Sequence, residues 1–235
     1  MPEKSSPSPG LFVSGTDTGV GKTLVTAAVA RLLRNRGRDV VVCKPVATGA
    51  RPVGGRWLAD DTALLADAAG LADEWERVTP WAFPDPVAPP LAARRRGVAL
   101  TLPAIAGAVR ERVRPRAALL VEGIGGLLCP LTEGETVADL VRELGLPLLV
   151  VARRSLGTLN HTLLTLEVAR GRGLAVAGVV VSETASPAGL ADETNVDELR
   201  RLGVPVLAVV PHLPGGAREV VPALAAVDWW RLCHA

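Results

Sequence analysis

Several features that define common protein classes are scarce or missing from this 235-residue sequence. It has no run of about 18 apolar residues, so we expect no membrane-spanning helix. The first nine residues, MPEKSSPSP, lack the apolar segment of a signal peptide and predict a disordered tail. Because no linker or internal repeat interrupts the remainder, residues 10–235 are predicted to form a single domain.

Cysteine is scarce as well. The three cysteines, Cys43, Cys129 and Cys233, lie far apart and form no CxxC pair, so we expect neither disulfide bonds nor a zinc site. Cysteine use of this kind is typical of a reducing compartment, and it predicts a cytoplasmic protein.

No concentrated patch of positive charge is present. The formal net charge is only +2 and the basic residues are scattered. Nucleic acids and anionic membrane surfaces both require clustered basic side chains, so the sequence predicts neither partner. The longest basic run, at residues 94–96, is typical of a solvated helix end.

Lysine is rare among the basic residues. Of 26 lysines and arginines only three are lysines, and Lys4 lies in the predicted tail. Since arginine serves wherever a general surface cation is needed, Lys22 and Lys44 predict sites that require a compact ammonium group and exclude a guanidinium fork.

Apolar runs and segments of helical spacing alternate along the chain. Strands are predicted at residues 11–14, 39–44, 117–121, 146–152, 176–182 and 204–210, and helices at residues 21–36, 60–69, 101–113, 136–144, 158–170 and 187–202. Residues 81–90 hold four prolines and predict a loop. Continuous apolar strands separated by helices favour an α/β fold with a parallel sheet covered on both faces. Ligands of such sheets bind beyond the carboxyl ends of the strands.

A glycine-rich motif follows the first predicted strand. Residues 15–23 read GTDTGVGKT, a variant of G-x-x-x-x-G-K-[ST] in which five residues separate Gly15 from Gly21. Glycines let backbone N–H groups turn towards phosphates at a helix N-terminus. Lys22 is then expected to reach the β- and γ-phosphates and the Thr23 hydroxyl to bind Mg²⁺. A glycine-rich turn without a ligand is the alternative.

Three further motifs stand at predicted strand ends. Lys44 begins KPVATG after the second strand and is expected near the γ-phosphate, where it would neutralise charge. Glu122 begins EGIGG after the third strand and could hold Mg²⁺. Asp60 and Asp61 open a predicted helix, and on spacing alone they are helix caps or metal ligands.

The run LGTLNH follows the fourth strand and opens a helix whose free N–H groups suit a carboxylate or phosphate. His161 within it could act as a general base, but a structural role is the ordinary one and we assign it no chemistry.

Taken together and in this order, GTDTGVGKT, KPVATG, EGIGG and LGTLNH resemble the dethiobiotin synthetase family over about residues 11–214. The resemblance implies a single-domain P-loop NTPase-type fold and a homodimeric, Mg²⁺-dependent cyclo-ligase of biotin biosynthesis. Its substrates would be 7,8-diaminononanoate, CO₂ and ATP. One amine takes up CO₂ as a carbamate, ATP phosphorylates the carbamate, and the second amine closes the cyclic urea.

The resemblance also implies a set of site residues. Lys22 and Lys44 would be catalytic, and Lys44 and Thr48 would meet the carbamate and the diamine. The Mg²⁺ ligands would be Thr23, Asp61 and Glu122, with Asp61 preferred to Asp60 by its spacing from Lys44. The nucleotide would contact Thr18, Gly19, Val20, Gly21, Lys22, Thr23, Leu24, Asp61, Glu122, Gly123, Ile124, Gly125, Ser182, Glu183, Pro211, His212 and Leu213. The substrate carboxylate of the opposite subunit would contact Leu156, Gly157, Thr158, Leu159 and Asn160.

The sequence departs from the family pattern at three positions. Gly19 stands where some members carry an acid, and Ile124 replaces a small residue. Ser182 stands where several members have an asparagine that reads the adenine edge. A serine makes a shorter, less directional contact, which predicts a relaxed preference for ATP.

Three other functions remain open. A partitioning-type ATPase switch would carry a second lysine early in the loop, where this chain has Asp17. A corrinoid amidotransferase-like synthetase usually has an added glutaminase domain, for which this chain is too short. A catalytically inactive nucleotide-binding module is disfavoured by Lys22, Thr23, Lys44 and Glu122.

Overall fold

The structure, a computed structural model, describes residues 9–183, 189–212 and 217–234. The strands are β1 Gly10–Gly15, β2 Val40–Cys43, β3 Val46–Thr48, β4 Arg51–Val53, β5 Arg56–Leu58, β6 Trp81–Phe83, β7 Ala118–Gly126, β8 Leu148–Arg153, β9 Val176–Ser182 and β10 Val206–Val210. The helices are α1 Lys22–Asn35, α2 Asp60–Ala69, α3 Pro89–Arg95, α4 Leu102–Arg110, α5 Val137–Leu144, α6 Thr158–Gly171, α7 Leu190–Arg201, α8 Ala217–Leu224 and α9 Trp229–Cys233.

One six-stranded sheet in the order β10-β9-β8-β1-β7-β2 organises the described residues, and every pairing in it is parallel. Its central strands are apolar on both faces because helices cover both. One buried layer includes Ile105, Leu140 and Leu166, and the opposite layer includes Leu33 and Trp229. The predicted α/β fold with a parallel, doubly covered sheet is therefore confirmed.

Strand β7 is longer than the sequence predicts. The prediction ended it at residue 121, whereas the strand runs through the glycines to Gly126. Its register with β1 steps from Val13↔Glu122 to Gly15↔Gly126, so β7 carries two additional residues in a bulge. Gly125 adopts φ 61° within it, a conformation that favours glycine. The glycines resembled a loop because they carry no side chain, but their backbone still pairs with β1.

The prediction of a loop at residues 81–90 is partly wrong. Residues 81–83 form β6, which pairs with β3, and α3 begins at Pro89. Proline is compatible with the first helical turn because the N–H groups there have no intrahelical partner. The short strands β3–β6 and the helices α8 and α9 were not predicted.

Helix starts agree better with the sequence. Helix α2 has the predicted bounds, Asp60–Ala69. The Thr101 hydroxyl accepts from the N–H of Ala104 at 3.3 Å and caps α4 as predicted. The helix predicted from residue 187 is described from Leu190 onwards, and residues 1–8 of the predicted tail lie outside the described residues. Among the residues that the structure describes, every helix is too short or too polar to span a lipid bilayer.

Candidate functional site

The glycine-rich motif forms a loop between β1 and α1 that curls around the ammonium of Lys22. Lys22 Nζ donates to the carbonyl oxygen of Asp17 at 2.9 Å. Gly19 and Gly21 have φ values of 71° and 94°, which L side chains rarely adopt. A Cβ atom on Gly15 would lie 3.1 Å from Lys22 Nζ, so the loop closes tightly on the ammonium. A glycine-rich loop that leads from a strand into a helix and closes on a lysine has the geometry of a phosphate-binding loop.

Burial lowers the pKa of Lys22, and the positive charge of Lys44 lowers it further, against the opposing attraction of Glu122. The ammonium is therefore poorly compensated by its surroundings. An anionic group bound in the loop would supply the missing negative charge.

A second lysine joins two carboxylates beside the loop. Lys44 Nζ lies 2.6 Å from Glu122 Oε1 and 2.9 Å from Asp61 Oδ2. The Thr23 hydroxyl donates to the same Glu122 oxygen at 2.8 Å. Lys44 directly follows β2, Glu122 lies in the middle of β7 where its bulge begins, and Asp61 lies in the first turn of α2. The parallel sheet brings the three together at one edge.

The charged groups of this cluster shift one another's pKa values. Burial would lower the pKa of Lys44, but Glu122 and Asp61 outweigh it and the pKa lies above its ordinary value. Burial would raise the pKa of Asp61, and the charge and hydrogen bond of Lys44 hold it below its ordinary value instead. The Lys44 ammonium and the Asp61 carboxylate therefore stabilise each other as ions.

The cluster fits a magnesium ion. Glu122 is fully buried and its Oε2 has no hydrogen-bond partner, so an oxygen ligand is available beside Thr23 and Asp61. Two carboxylates and a hydroxyl suit Mg²⁺, which is bound through one or two carboxylates together with phosphate oxygens and water. A metal site formed only by protein groups would require at least three His, Cys, Asp or Glu side chains close together. Among the described residues no such group is found.

An open cleft of about 340 Å³ joins the loop to the cluster. It is lined by Thr18, Gly19, Gly21, Lys22, Thr23, Leu24, Lys44, Thr48, Asp61, Ile124 and Gly125. Every residue of this lining belongs to the set of sequence-predicted site residues. Val20 is buried in the apolar core, and a Cβ on Gly123 would meet the Phe12 ring at 3.0 Å, so both lie behind the cleft wall.

A second cleft of about 370 Å³ begins on the other side of Gly125. Thr18 and Gly125 belong to both clefts, and the exposed side chains of Leu128 and Leu164 line the second one. Arg153 at the end of β8 approaches Asp17 Oδ2 and the Thr18 carbonyl, each at 3.4 Å. Asp17, which stands where a partitioning-type ATPase switch would be expected to carry its second lysine, is thus paired with Arg153.

The predicted carboxylate-binding residues surround the start of α6. Gly157, with φ 91°, precedes the helix, Leu156 is 85% exposed, and Asn160 is exposed. Thr158 is buried and Leu159 partly buried. These residues line neither the first cleft nor the second. Within one subunit they therefore lie outside the cleft that Lys44 lines.

The residues predicted around the nucleotide base lie where β9 and β10 end. Ser182 is fully buried without a hydrogen-bond partner, and its hydroxyl would be 2.6 Å from a Cβ on Gly21. Glu183 donates its N–H to the Val210 carbonyl at 2.9 Å. A Glu183 carboxylate oxygen accepts from the His212 N–H at 3.2 Å, and Pro211 is partly buried beside it. Leu213 lies outside the described residues.

Two residues at this edge were missed by the sequence reasoning. The Arg154 guanidinium donates to the Glu183 carboxylate, and the Asn195 amide donates to the carbonyl of Arg154. The position of Arg154 directly after β8 was the available signal, but in an arginine-rich chain it resembled an ordinary surface charge. Nothing in the sequence around Asn195 distinguishes it from other polar helix residues.

Comparison with known proteins adds sequence relatives and fold relatives. A family model described as an AAA domain matches residues 9–219. A relative from Anaeromyxobacter dehalogenans strain 2CP-1, named ATP-dependent dethiobiotin synthetase BioD, is 45% identical over 211 residues, covering 89% of this chain and 93% of the relative. Proteins of the same name from Mycobacterium sp. strain KMS and Bacillus subtilis strain 168 are 45% and 37% identical, over 94% and 90% of this chain and 93% and 91% of theirs.

Among solved structures, a ParA family ATPase from Chlorobium tepidum aligns with a TM-score of 0.52 at 13% identity, covering 98% of this chain and 99% of that one. A chain of the MinC:MinD cell division protein complex from Aquifex aeolicus aligns with a TM-score of 0.51 at 13% identity, covering 97% and 94%. At this identity the likeness concerns the fold alone, which is that of the P-loop ATPases.

Proposed function

This chain belongs to the ATP-dependent dethiobiotin synthetase family, and we propose that it converts 7,8-diaminononanoate, CO₂ and ATP to dethiobiotin, ADP and phosphate. The observation that carries the proposal is the meeting of Lys22, Thr23, Lys44, Asp61 and Glu122 around one cleft. Residues 10–235 act as one domain in this proposal, supported by the six-stranded sheet that lies between the two large buried layers.

The reaction proceeds in three bond-forming steps. An amine nitrogen of the diamine adds to CO₂ and loses a proton, which gives a carbamate. A carbamate oxygen attacks the γ-phosphorus of ATP and breaks its bond to the ADP oxygen, which gives a carbamic–phosphoric anhydride. The second amine attacks the carbonyl carbon, loses a proton and expels inorganic phosphate, which closes the cyclic urea.

The chain contributes position and charge to these steps, which is what phosphoryl transfer chiefly needs. Lys22, inside the phosphate-binding loop, binds the β- and γ-phosphate oxygens. Lys44, one strand away, neutralises the carbamate and the transferring phosphoryl group. Thr23, Asp61 and Glu122 hold Mg²⁺, which when bound neutralises phosphate charge.

Substrate and nucleotide recognition use the surrounding residues. Thr48 lines the cleft with Lys44 and contacts the diamine. Thr18, Gly19, Gly21, Leu24, Ile124 and Gly125 line the cleft around the triphosphate, and Val20 and Gly123 support it from behind. Ser182, Glu183, Pro211 and His212 flank the base in this proposal, and Leu213, outside the described residues, completes the predicted set.

The substrate carboxylate binds in the opposite subunit of a homodimer, at Leu156, Gly157, Thr158, Leu159 and Asn160. Support comes from the exposed leucines of this region: Leu156, Leu163, Leu164 and Leu128 are 85%, 38%, 57% and 50% exposed. Leu128 and Leu164 line the second cleft, which is continuous with Thr18 and Gly125 of the first. A second copy of the chain would cover these side chains.

The cytoplasmic location remains a prediction.

The test is mass spectrometry of the product formed from the diamine, ¹³C-bicarbonate, Mg²⁺ and ATP, with phosphate release measured in parallel. We expect a product that carries one ¹³C in a cyclic urea and phosphate release that requires the diamine. Lys22→Ala serves as the inactive control. Phosphate release that is equally fast without the diamine would identify an ATPase switch, and no release under any condition would identify an inactive nucleotide-binding module.

A further inference from the structure

Arg154 lies where the carboxyl ends of β8, β9 and β10 meet, outside the cleft that holds Lys22 and Lys44. Its guanidinium donates from Nε to the main-chain carbonyl of Asp192 in α7 and from Nη1 to Glu183 Oε1. The side chains of Arg154 and Glu183 are 23% and 10% exposed, so the ion pair is largely withdrawn from water. The fork of the guanidinium therefore joins a helix to the end of β9.

The second oxygen of the same carboxylate holds the chain after β10. Glu183 Oε2 accepts from the His212 N–H at 3.2 Å, while the Glu183 N–H donates to the Val210 carbonyl at 2.9 Å. Without the guanidinium, the carboxylate would lose its charged partner and with it the restraint on its orientation. The segment after β10 thus depends on Arg154 through one intermediate side chain.

The main chain of Arg154 is fixed from two further sides. Its N–H donates to the Ser182 carbonyl at 3.1 Å, which ties it to β9. Its carbonyl and that of Ser155 accept from the buried Asn195 amide at 2.9 and 3.2 Å. With both its main chain and its side chain held, Arg154 presents its guanidinium to Glu183 from a rigid base.

We propose that Arg154 is a positioning residue for the nucleoside part of the nucleotide. It orients Glu183, which in turn holds the backbone N–H of His212, directly after Pro211. The inference rests on the proposed function for the placement of the base at this edge. It also separates two halves of the nucleotide site, because the triphosphate half around Lys22 makes no contact with Arg154 among the described residues.

The experiment measures Mg²⁺-nucleotide binding by calorimetry, without the diamine, for the parent chain and for Arg154→Met. Inorganic tripolyphosphate, which has no base, is the comparison ligand. We expect the Kd for ATP to rise roughly tenfold, because ATP must then itself order the groups that Arg154 and Glu183 otherwise hold in place, and the Kd for tripolyphosphate to stay unchanged. Arg154→Lys, which retains the charge, should recover part of the ATP affinity.

Two further variants distinguish positioning from general stability. Arg172→Met breaks the partly buried pair of Arg172 with Asp139, whose side chains are 33% and 14% exposed, away from the strand ends. It should lower the melting temperature about as much as Arg154→Met without changing the Kd for ATP. Glu183→Gln combined with Arg154→Met should weaken ATP binding no more than either change alone, because both act through one contact.

The proposal is overturned if ATP and tripolyphosphate lose affinity equally, or if Arg154→Met and Arg172→Met bind ATP alike. Neither result depends on the diamine. Failure of the dethiobiotin reaction with intact, Arg154-dependent ATP binding would instead count against the proposed function.

Discussion

Replacing Lys44 by methionine should destabilise the protein strongly in the absence of ligands. Lys44 and Glu122 are 3% and 0% exposed, and their charged atoms are 2.6 Å apart. Methionine fills a similar volume but leaves the buried Glu122 carboxylate with the Thr23 hydroxyl as its hydrogen-bond donor. Removing one partner of a buried ion pair typically costs about 3–5 kcal/mol. At roughly 2–4 °C per kcal/mol for a chain of this length, the melting temperature should fall by about 6–20 °C.

The assay is urea and thermal unfolding of EDTA-treated protein at constant pH. Lys22→Met is the matched control, because the Lys22 ammonium donates to the neutral Asp17 carbonyl and its removal strands no carboxylate. It should cost only about 1–2 kcal/mol. The double variant Lys44→Met/Glu122→Gln removes both charges and should regain most of the stability lost in Lys44→Met.

Added Mg²⁺ should raise the melting temperature of Lys44→Met more than that of the parent chain, because no tethered ammonium then occupies the two carboxylates. A free energy of unfolding for Lys44→Met within about 1 kcal/mol of the parent would show that the buried Glu122 carboxylate does not need Lys44. A double variant no more stable than the single one would likewise show that Glu122 does not depend on Lys44 for charge compensation.

Three further predictions concern activity. Lys22→Ala should abolish turnover, since stabilisation of transition-state charge by such a group is worth roughly 3 kcal/mol or more, and a steady-state rate within about tenfold of the parent would contradict the P-loop assignment. Lys44→Arg should be as inactive as Lys44→Ala in the same assay, because the planar guanidinium cannot occupy the space between Glu122 and Asp61 as a point charge. Retention of most activity by Lys44→Arg would refute this. CTP or GTP should support kcat/KM within roughly a hundredfold of ATP, and Ser182→Asn should shift the preference towards ATP, whereas a parent preference beyond about a thousandfold would mean that backbone groups read the base.

The sequence predicted the elements whose boundaries carry a chemical signal. Helix α2 was predicted to its observed bounds because two aspartates open it and Gly70 ends it in the left-handed conformation. Strand β9 was also predicted to its bounds. The three-residue strands β3 to β6 are too short for a periodic pattern, and Pro222 inside α8 masked that helix. The bulge in β7 depends on pairing with β1, which no local pattern encodes.

For the site, the sequence predicted which residues meet but not how they contact one another. Lys44, Asp61 and Glu122 were expected at one edge, but the bridge of Lys44 between both carboxylates depends on distances across β2, α2 and β7. Ser182 was expected at the base, and its burial against Gly21 depends on how closely the loop covers β9. The pairing of Arg154 with Glu183 joins neighbouring strand ends and has no signature in either local sequence.

The strand order also determines when this protein can fold during its synthesis. Strands β1 and β2 do not pair with each other, because β7 lies between them. The other neighbour of β1 is β8. A ribosome that has finished Cys43 must add the chain up to Ala118 before the sheet can start, about 4–15 s at roughly 5–20 residues per second. During that interval two apolar strands are exposed to chaperones and to aggregation. The arrival of β7 joins β1 to β2 and brings Glu122 to Lys44 in the same event, before β8 completes the pairing of β1.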